Sequence, residues 1–223
     1  MNKIIITAPT KMEVITLQKY IQKNKLNNIN IIITGIGIVN TIFSLYDNIT
    51  VLKDALIINT GIAGSFNNNI SLGTVVNVIS ERFGDIGYEE NKSFKTLFDI
   101  NLENPNDFPY NNEIIENYLS NEEQLFNNLI KVKGLTVNSI TNSNDLLKIR
   151  KNRFNCDIET MEGAAFFYFC KKHKLNYLQI RAISNITGPK HKNKWDIELA
   201  INNLNNYLIE NLITKFDKIQ VAE

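Results

Sequence analysis

Lys3-Ile4-Ile5-Ile6-Thr7 and Ile29-Asn30-Ile31-Ile32-Ile33-Thr34, with Val14, Leu17 and Ile21 recurring at helical spacing between them, decide the fold. Short β-branched runs of this kind read as buried strands, and the intervening residues mark one face of a helix. Two strands joined by a helix make a βαβ unit. The run at 55–59 repeats the strand signal, and further strands are expected at 75–80, 132–139, 156–159 and 177–184. A closing helix carries its apolar face on Ile197, Ile201, Leu204, Leu208 and Leu212. The pattern predicts a single α/β domain over residues 1–223, with helices on both faces of a largely parallel sheet. No repeat or linker divides the chain, and the weakly periodic stretch 91–112, with Pro105 and Pro109, reads as a loop or small excursion.

The chain has 223 residues, with 24 Lys and Arg against 23 Asp and Glu, for a net charge of +1. That balance offers no electrostatic reason for nucleic acid or an anionic membrane as partner, since those call for a clustered basic excess. Cys156 and Cys170 are the only cysteines and show no zinc-ligand spacing, so neither a disulfide framework nor a metal is expected, and a reducing, cytoplasmic setting fits. No stretch approaches the length of a membrane span, and Met1 to Ile6 lacks a signal-peptide core. The many asparagines, such as Asn67-Asn68-Asn69 and Asn205-Asn206, read as base-composition bias and receive no role.

Ligands in open α/β sheets bind beyond the carboxyl ends of the strands, so the residues just after each strand come first. Gly35-Ile36-Gly37-Ile38-Val39-Asn40 begins like a dinucleotide fingerprint but lacks the third glycine, and reads better as a tight strand-to-helix turn. Thr60-Gly61-Ile62-Ala63-Gly64 is expected to be a second turn, either a plain one or one that lets a ligand approach the main chain. Glu13 fits a capping box with Thr10, and equally a carboxylate placed to activate water. Glu162 opens an apolar, and so buried, helix; it is either a dipole complement or an acid waiting for ligand hydroxyls. Arg181 sits inside a strand that reads as central, where it needs a carboxylate or a ligand. His173 reads as a solvated helix end and His191 as part of an exposed basic loop, so neither is expected to be a catalyst.

Taken together, these segments resemble the purine nucleosidase and phosphorylase superfamily, and more narrowly the methylthioadenosine/S-adenosylhomocysteine nucleosidases and the futalosine hydrolases. The resemblance rests on Glu13-Val14, Gly35 to Asn40, Asn59 to Gly64, Met161-Glu162-Gly163-Ala164-Ala165 and Arg181-Ala182-Ile183-Ser184, in that order along most of the chain. It implies a three-layer α/β/α sandwich around a mixed, curved central sheet, assembled as a homodimer or larger homo-oligomer. It implies further that Glu13 activates the attacking water, that Arg181 helps hold that water and that Glu162 binds ribose hydroxyls. Met161 would pack on the sugar, Ala63 and Gly64 would line the pocket floor, and Ser184 joins the substrate-binding set.

Departures from the adenine-cleaving pattern choose among the relatives. Asn185 stands where those enzymes carry Asp, and its amide suits a 6-oxopurine rather than adenine. Ile62 replaces a typical Ser, which removes a hydroxyl from the water site. The segments Phe83 to Glu90 and Trp195 to Ile201 are similar to those of futalosine hydrolases. An acid at Glu13 stands where phosphorolytic relatives bind an anion, which favours water as the nucleophile. The resemblance therefore implies futalosine hydrolase activity, an N-glycosyl hydrolysis releasing hypoxanthine, with no cofactor or metal. Its alternatives are a methylthioadenosine/S-adenosylhomocysteine nucleosidase, a purine nucleoside phosphorylase and a catalytically silent nucleoside-binding module. The expected partner is a small nucleoside, and Arg82, Lys190 and His191 are candidates for a cation beside its 5′ tail.

Overall fold

The computed structural model describes residues 3–90, 93–117, 128–189 and 195–213. Strand β1 (Ile4–Ala8) leads through a 3₁₀ turn (Met12–Val14) into α1 (Ile15–Lys23) and back to β2 (Ile29–Ile33), parallel to β1. This is the expected βαβ unit. The helices α2 (Ile38–Asp47) and α3 (Ile49–Leu52) then lead to β3 (Leu56–Ser65). Strand β4 (Val75–Phe83) is followed by a hairpin of β5 (Gly87–Glu90) and β6 (Ser93–Thr96), and by the short β7 (Ile115–Glu116). The rest comprises β8 (Ile130–Thr136), α4 (Asn144–Phe154), β9 (Ile158–Thr160), α5 (Gly163–Lys172), β10 (Asn176–Ile186) and α6 (Ile197–Tyr207), which runs into a π-helical turn (Leu208–Ile213).

Alternation along β1 builds the layers. Ile4 and Ile6 point into one core with Leu17 of α1 and Leu204 of α6, while Ile5 points into another with Phe166 and Phe167 of α5 and Leu45 of α2. Side chains of neighbouring strand residues leave opposite faces, so a run of isoleucines glues helices to both sides of one sheet. Each such side chain, fully buried, contributes roughly 1.5–3 kcal/mol. Strand β2 departs from the expectation of burial. It is an edge strand, with Asn30 and Ile33 exposed.

The sheet is mixed rather than largely parallel. Strands β1, β2, β3 and β10 are mutually parallel, as are β4, β8 and β9, but β10 meets β4 and β3 meets β9 in antiparallel fashion. The second feature read as a turn, Thr60 to Gly64, is instead the continuing half of β3. Its first half pairs with β1, and beyond the end of β1 the residues Gly64 and Ser65 pair with β9. A strand that changes partner midway must bend, and small residues allow it. The result curls the sheet on itself through β3, β10, β4, β8 and β9. The stretch expected to be a loop holds β6 and a series of turns among its described residues. Among the described residues, no helix is long and apolar enough to cross a membrane.

Candidate active site

At the carboxyl ends of β1, β3, β9 and β10 lies a cavity of about 290 Å³, lined among others by Glu13, Ala63, Met161, Glu162 and Asn185. Gly64 and Ser184 also line it. The segments that follow β1 and β9 meet the second half of β3 and the last residues of β10 around one hollow, which is why residues far apart in sequence come together here.

Glu13 lies in the 3₁₀ turn and is 5% exposed. Its Oε2 accepts from the Thr10 amide at 3.0 Å and the Thr10 hydroxyl at 2.7 Å, and its Oε1 accepts from the Ile62 amide at 3.0 Å. Only half of the expected capping box forms, because the Thr10 hydroxyl donates to the carboxylate instead of receiving a helix amide. A Cβ added at Gly61 would lie 2.5 Å from Arg181 Nη1 and 2.8 Å from Glu13 Oε1, so both charged groups reach the bare main chain of β3.

Glu162 is the N-cap residue of α5, and its Oε1 accepts from the Gly37 amide at 3.1 Å. Gly37, with a φ of +89°, ends the tight turn before α2, so the Gly35–Asn40 motif serves as a main-chain donor to this carboxylate. The other oxygen faces Arg181 Nη1 at 3.4 Å. Burial pushes the Glu162 carboxyl upward; Arg181 and the Gly37 amide oppose the rise and the nearby Glu13 charge adds to it. Arg181 itself is fully buried in β10, with Nη2 donating to Asn59 Oδ1 at 2.5 Å. It stands behind the carboxylates and does not line the cavity.

Asn185 follows a register shift in β10, which turns its side chain toward the hollow. Its Oδ1 accepts from the Ser184 hydroxyl at 2.8 Å, and its Nδ2 donates to the Ile186 carbonyl at 3.3 Å. That orientation leaves one amide hydrogen for a ligand.

A second buried ion pair at the cavity escaped sequence reasoning. Glu159 of β9 lines the hollow beside Ile140 and Thr141, and accepts from Arg150 Nη1 at 2.9 Å and from the Thr141 amide at 2.9 Å. Burial pushes the Glu159 carboxyl up, and Thr141 and Arg150 pull it back. The pair clamps the loop between β8 and α4 onto the rim. Arg150 sits in a helix with no clear apolar stripe, and nothing in the local pattern marked it as facing inward; the one legible signal was Ser143, whose hydroxyl accepts the Leu146 amide as an N-cap. Among the cations considered for a substrate tail, Arg82 pairs with Glu113 at 3.5 Å and is not part of this cavity. Lys190 and His191 lie outside the described residues.

A curved mixed sheet between helical layers, with paired acids and an asparagine where its strands end, defines a nucleoside phosphorylase-like α/β/α sandwich. The chain belongs to the Phosphorylase superfamily, whose family model matches residues 11–211. It is 29% identical over 176 residues to a futalosine hydrolase of Thermus thermophilus, covering 77% of this chain and 75% of that protein. It is 25% identical over 228 residues to a 5′-methylthioadenosine/S-adenosylhomocysteine nucleosidase of Buchnera aphidicola, covering 95% and 92%. A solved futalosine hydrolase mutant of Helicobacter pylori shares the fold with a TM-score of 0.74 at 15% identity, covering 96% of this chain and all of that one.

Proposed function

We propose that this protein is a futalosine hydrolase, cleaving the N-ribosidic bond of futalosine to hypoxanthine and dehypoxanthine futalosine in menaquinone biosynthesis. Asn185 carries the reading. With its carbonyl oxygen tied to Ser184 and an amide hydrogen free, it offers a donor to a 6-oxo group, and its remaining oxygen lone pair can accept from a protonated ring nitrogen. A carboxyl, which adenine would need there to share a proton, is absent from that position.

In this reading Glu13 takes a proton from water as the water oxygen bonds to the ribosyl C1′. The bond from C1′ to the purine nitrogen breaks with its electron pair leaving on the base, which takes a proton from solvent while Asn185 holds it, and Glu13 returns its proton to solvent. An oxocarbenium-like centre passes between the two. Glu162 receives the ribose hydroxyls, Met161 packs on the sugar, and Arg181 holds Glu162 in place while offsetting the charge of the two acids. Ala63, Gly64 and Ser184 form the floor. The substrate is a small nucleoside, no cofactor takes part, and the enzyme works in the cytoplasm.

The exposed stripe Val39, Phe43 and Tyr46 on α2 supports assembly as a homodimer or larger, because these large apolar side chains are each more than 60% exposed at helical spacing.

The alignment with the Buchnera nucleosidase over nearly the whole chain favours one second reading, cleavage of 5′-methylthioadenosine or S-adenosylhomocysteine. Chromatography of reactions on futalosine and 5′-methylthioadenosine, with and without phosphate, separates the readings. Hypoxanthine released from futalosine without phosphate is the expected result. A higher kcat/KM for adenine release establishes the second reading, and dependence on phosphate with formation of a ribosyl 1-phosphate overturns hydrolysis.

A further inference from the structure

Glu81 is a fully buried carboxyl outside the machinery described above. It projects from β4 beneath the first turn of α5, into space that two glycines leave open. A Cβ at Gly163 would lie 1.8 Å from its Oε1, and one at Gly134 would lie 2.3 Å from it. Its Oε1 accepts from Gln179 Nε2 at 2.7 Å and its Oε2 from the Thr136 hydroxyl at 3.0 Å. The Thr136 oxygen in turn accepts from the Ala164 amide at 2.7 Å and contacts the Thr160 hydroxyl at 3.2 Å, while the Thr160 oxygen accepts from the Gly163 amide at 3.2 Å.

The donors run in one direction. Because Thr136 spends its proton on Glu81, Thr160 must donate to Thr136, and each hydroxyl oxygen is then free to receive a helix amide. The first two amides of α5 thus end on two threonines and, through them, on one buried carboxyl. The residue just before these amides is Glu162, which makes no side-chain cap of its own and points instead to Gly37 and Arg181. The helix start is normally capped by its own N-cap residue. Here the cap is delegated inward, which frees Glu162 for the cavity.

We propose that Glu81 is a positioning residue for Glu162: by receiving the Thr136 hydroxyl it fixes the first turn of α5 and holds the cavity carboxylate in place. The charged and titratable groups around it are Glu162 at the α5 start, Arg181 on β10 and Cys156 before β9. Gln179, Thr136 and the glycines complete its shell. The inference rests on the reading of Glu162 as the ribose-binding group, although the placement of Glu162 can be tested apart from it.

Glu81→Leu keeps the volume and removes the acceptor, whereas Glu81→Gln keeps an acceptor for Thr136 and lets the Gln179 amide turn to receive it. The expected result is a KM about tenfold higher in Glu81→Leu with kcat held within about threefold, and a KM restored to within about twofold by Glu81→Gln at pH 6. A role in packing alone is satisfied by leucine, so an unchanged KM in Glu81→Leu overturns the proposal. So does equal impairment in both variants. If Glu81→Leu does not fold, Thr136→Val severs the same link, and there a raised KM supports the proposal and an unchanged one overturns it. Wild-type protein inactive on every nucleoside sinks the proposed function instead. In that case crystal structures decide: loss of the Glu162 contact to the Gly37 amide in the leucine or valine variant supports the inference, and an unmoved Glu162 overturns it.

Discussion

Asn205, on the last helix, donates to the backbone carbonyl of Glu13 at 2.8 Å while its Oδ1 accepts the Leu17 amide at 2.8 Å. It is 1% exposed, and it ties α6 to the start of α1 at the residue proposed as general base. An asparagine that reads as compositional bias in the sequence is therefore a buried strut. Replacing it with leucine strands two main-chain groups, at about 1–3 kcal/mol each. Asn205→Leu is expected to lower stability by roughly 3 kcal/mol in denaturant titration. It should also lower kcat more than it raises KM.

Glu13→Gln leaves the shape of the turn and removes the base. General base catalysis contributes about 10²–10⁴-fold, so kcat should fall by at least about 100-fold with the substrate still bound. Steady-state rates of base release measure this, and retained kcat would remove Glu13 from the mechanism.

Asn185→Asp replaces an amide donor with a carboxyl. Hypoxanthine release should fall by about tenfold or more, because a 6-oxo group then faces an acceptor. Adenine release should rise relative to it. Side-by-side kcat/KM values on a 6-oxo and a 6-amino nucleoside give the ratio, and an unchanged ratio places base selection elsewhere.

Burial pushes the Glu81 carboxyl from 4.5 up to about 7, against the pull of Gln179, Thr136 and Arg181. Between those pH values the unfolded chain has released a proton that the folded chain keeps, so the contribution of Glu81 to stability falls as pH rises through the window. The total is about 3 kcal/mol. Glu81→Gln carries no such dependence. The Tm of the variant relative to wild type should therefore climb from about pH 4.5 to about pH 7 and then level off. A difference that is flat with pH contradicts this.

A charge placed in the apolar stripe of α2 tests the assembly. Phe43 is 65% exposed, so Phe43→Asp should leave the fold intact in circular dichroism. If that stripe is the subunit contact, sedimentation should show the variant shifted to monomer relative to wild type.

Much of the architecture was legible because it is local. The spacing of Val14, Leu17 and Ile21 between two isoleucine runs marks a helix between strands wherever the chain goes next, since hydrophobic period follows from backbone geometry. The residues Glu13, Met161, Glu162 and Asn185 were legible as lining one hollow as well, because the first three follow strands and Asn185 lies at the end of one, where ligands reach an α/β sheet.

Other features depend on which strands become neighbours, and no local pattern encodes that. The change of partner along β3 made a strand of what read as a turn, and it curls the sheet. Arg150 meets Glu159 only because α4 packs against β9, and Glu81 meets Gln179 from 98 residues away only because β4 and β10 become neighbours. A buried charge or amide is legible in sequence as a residue type but not as a partner. The chain's hydrophobic rhythm determined the layers and the rim, while the closing of the curled sheet decided which polar groups face one another across it, because desolvated groups must find partners wherever packing brings them.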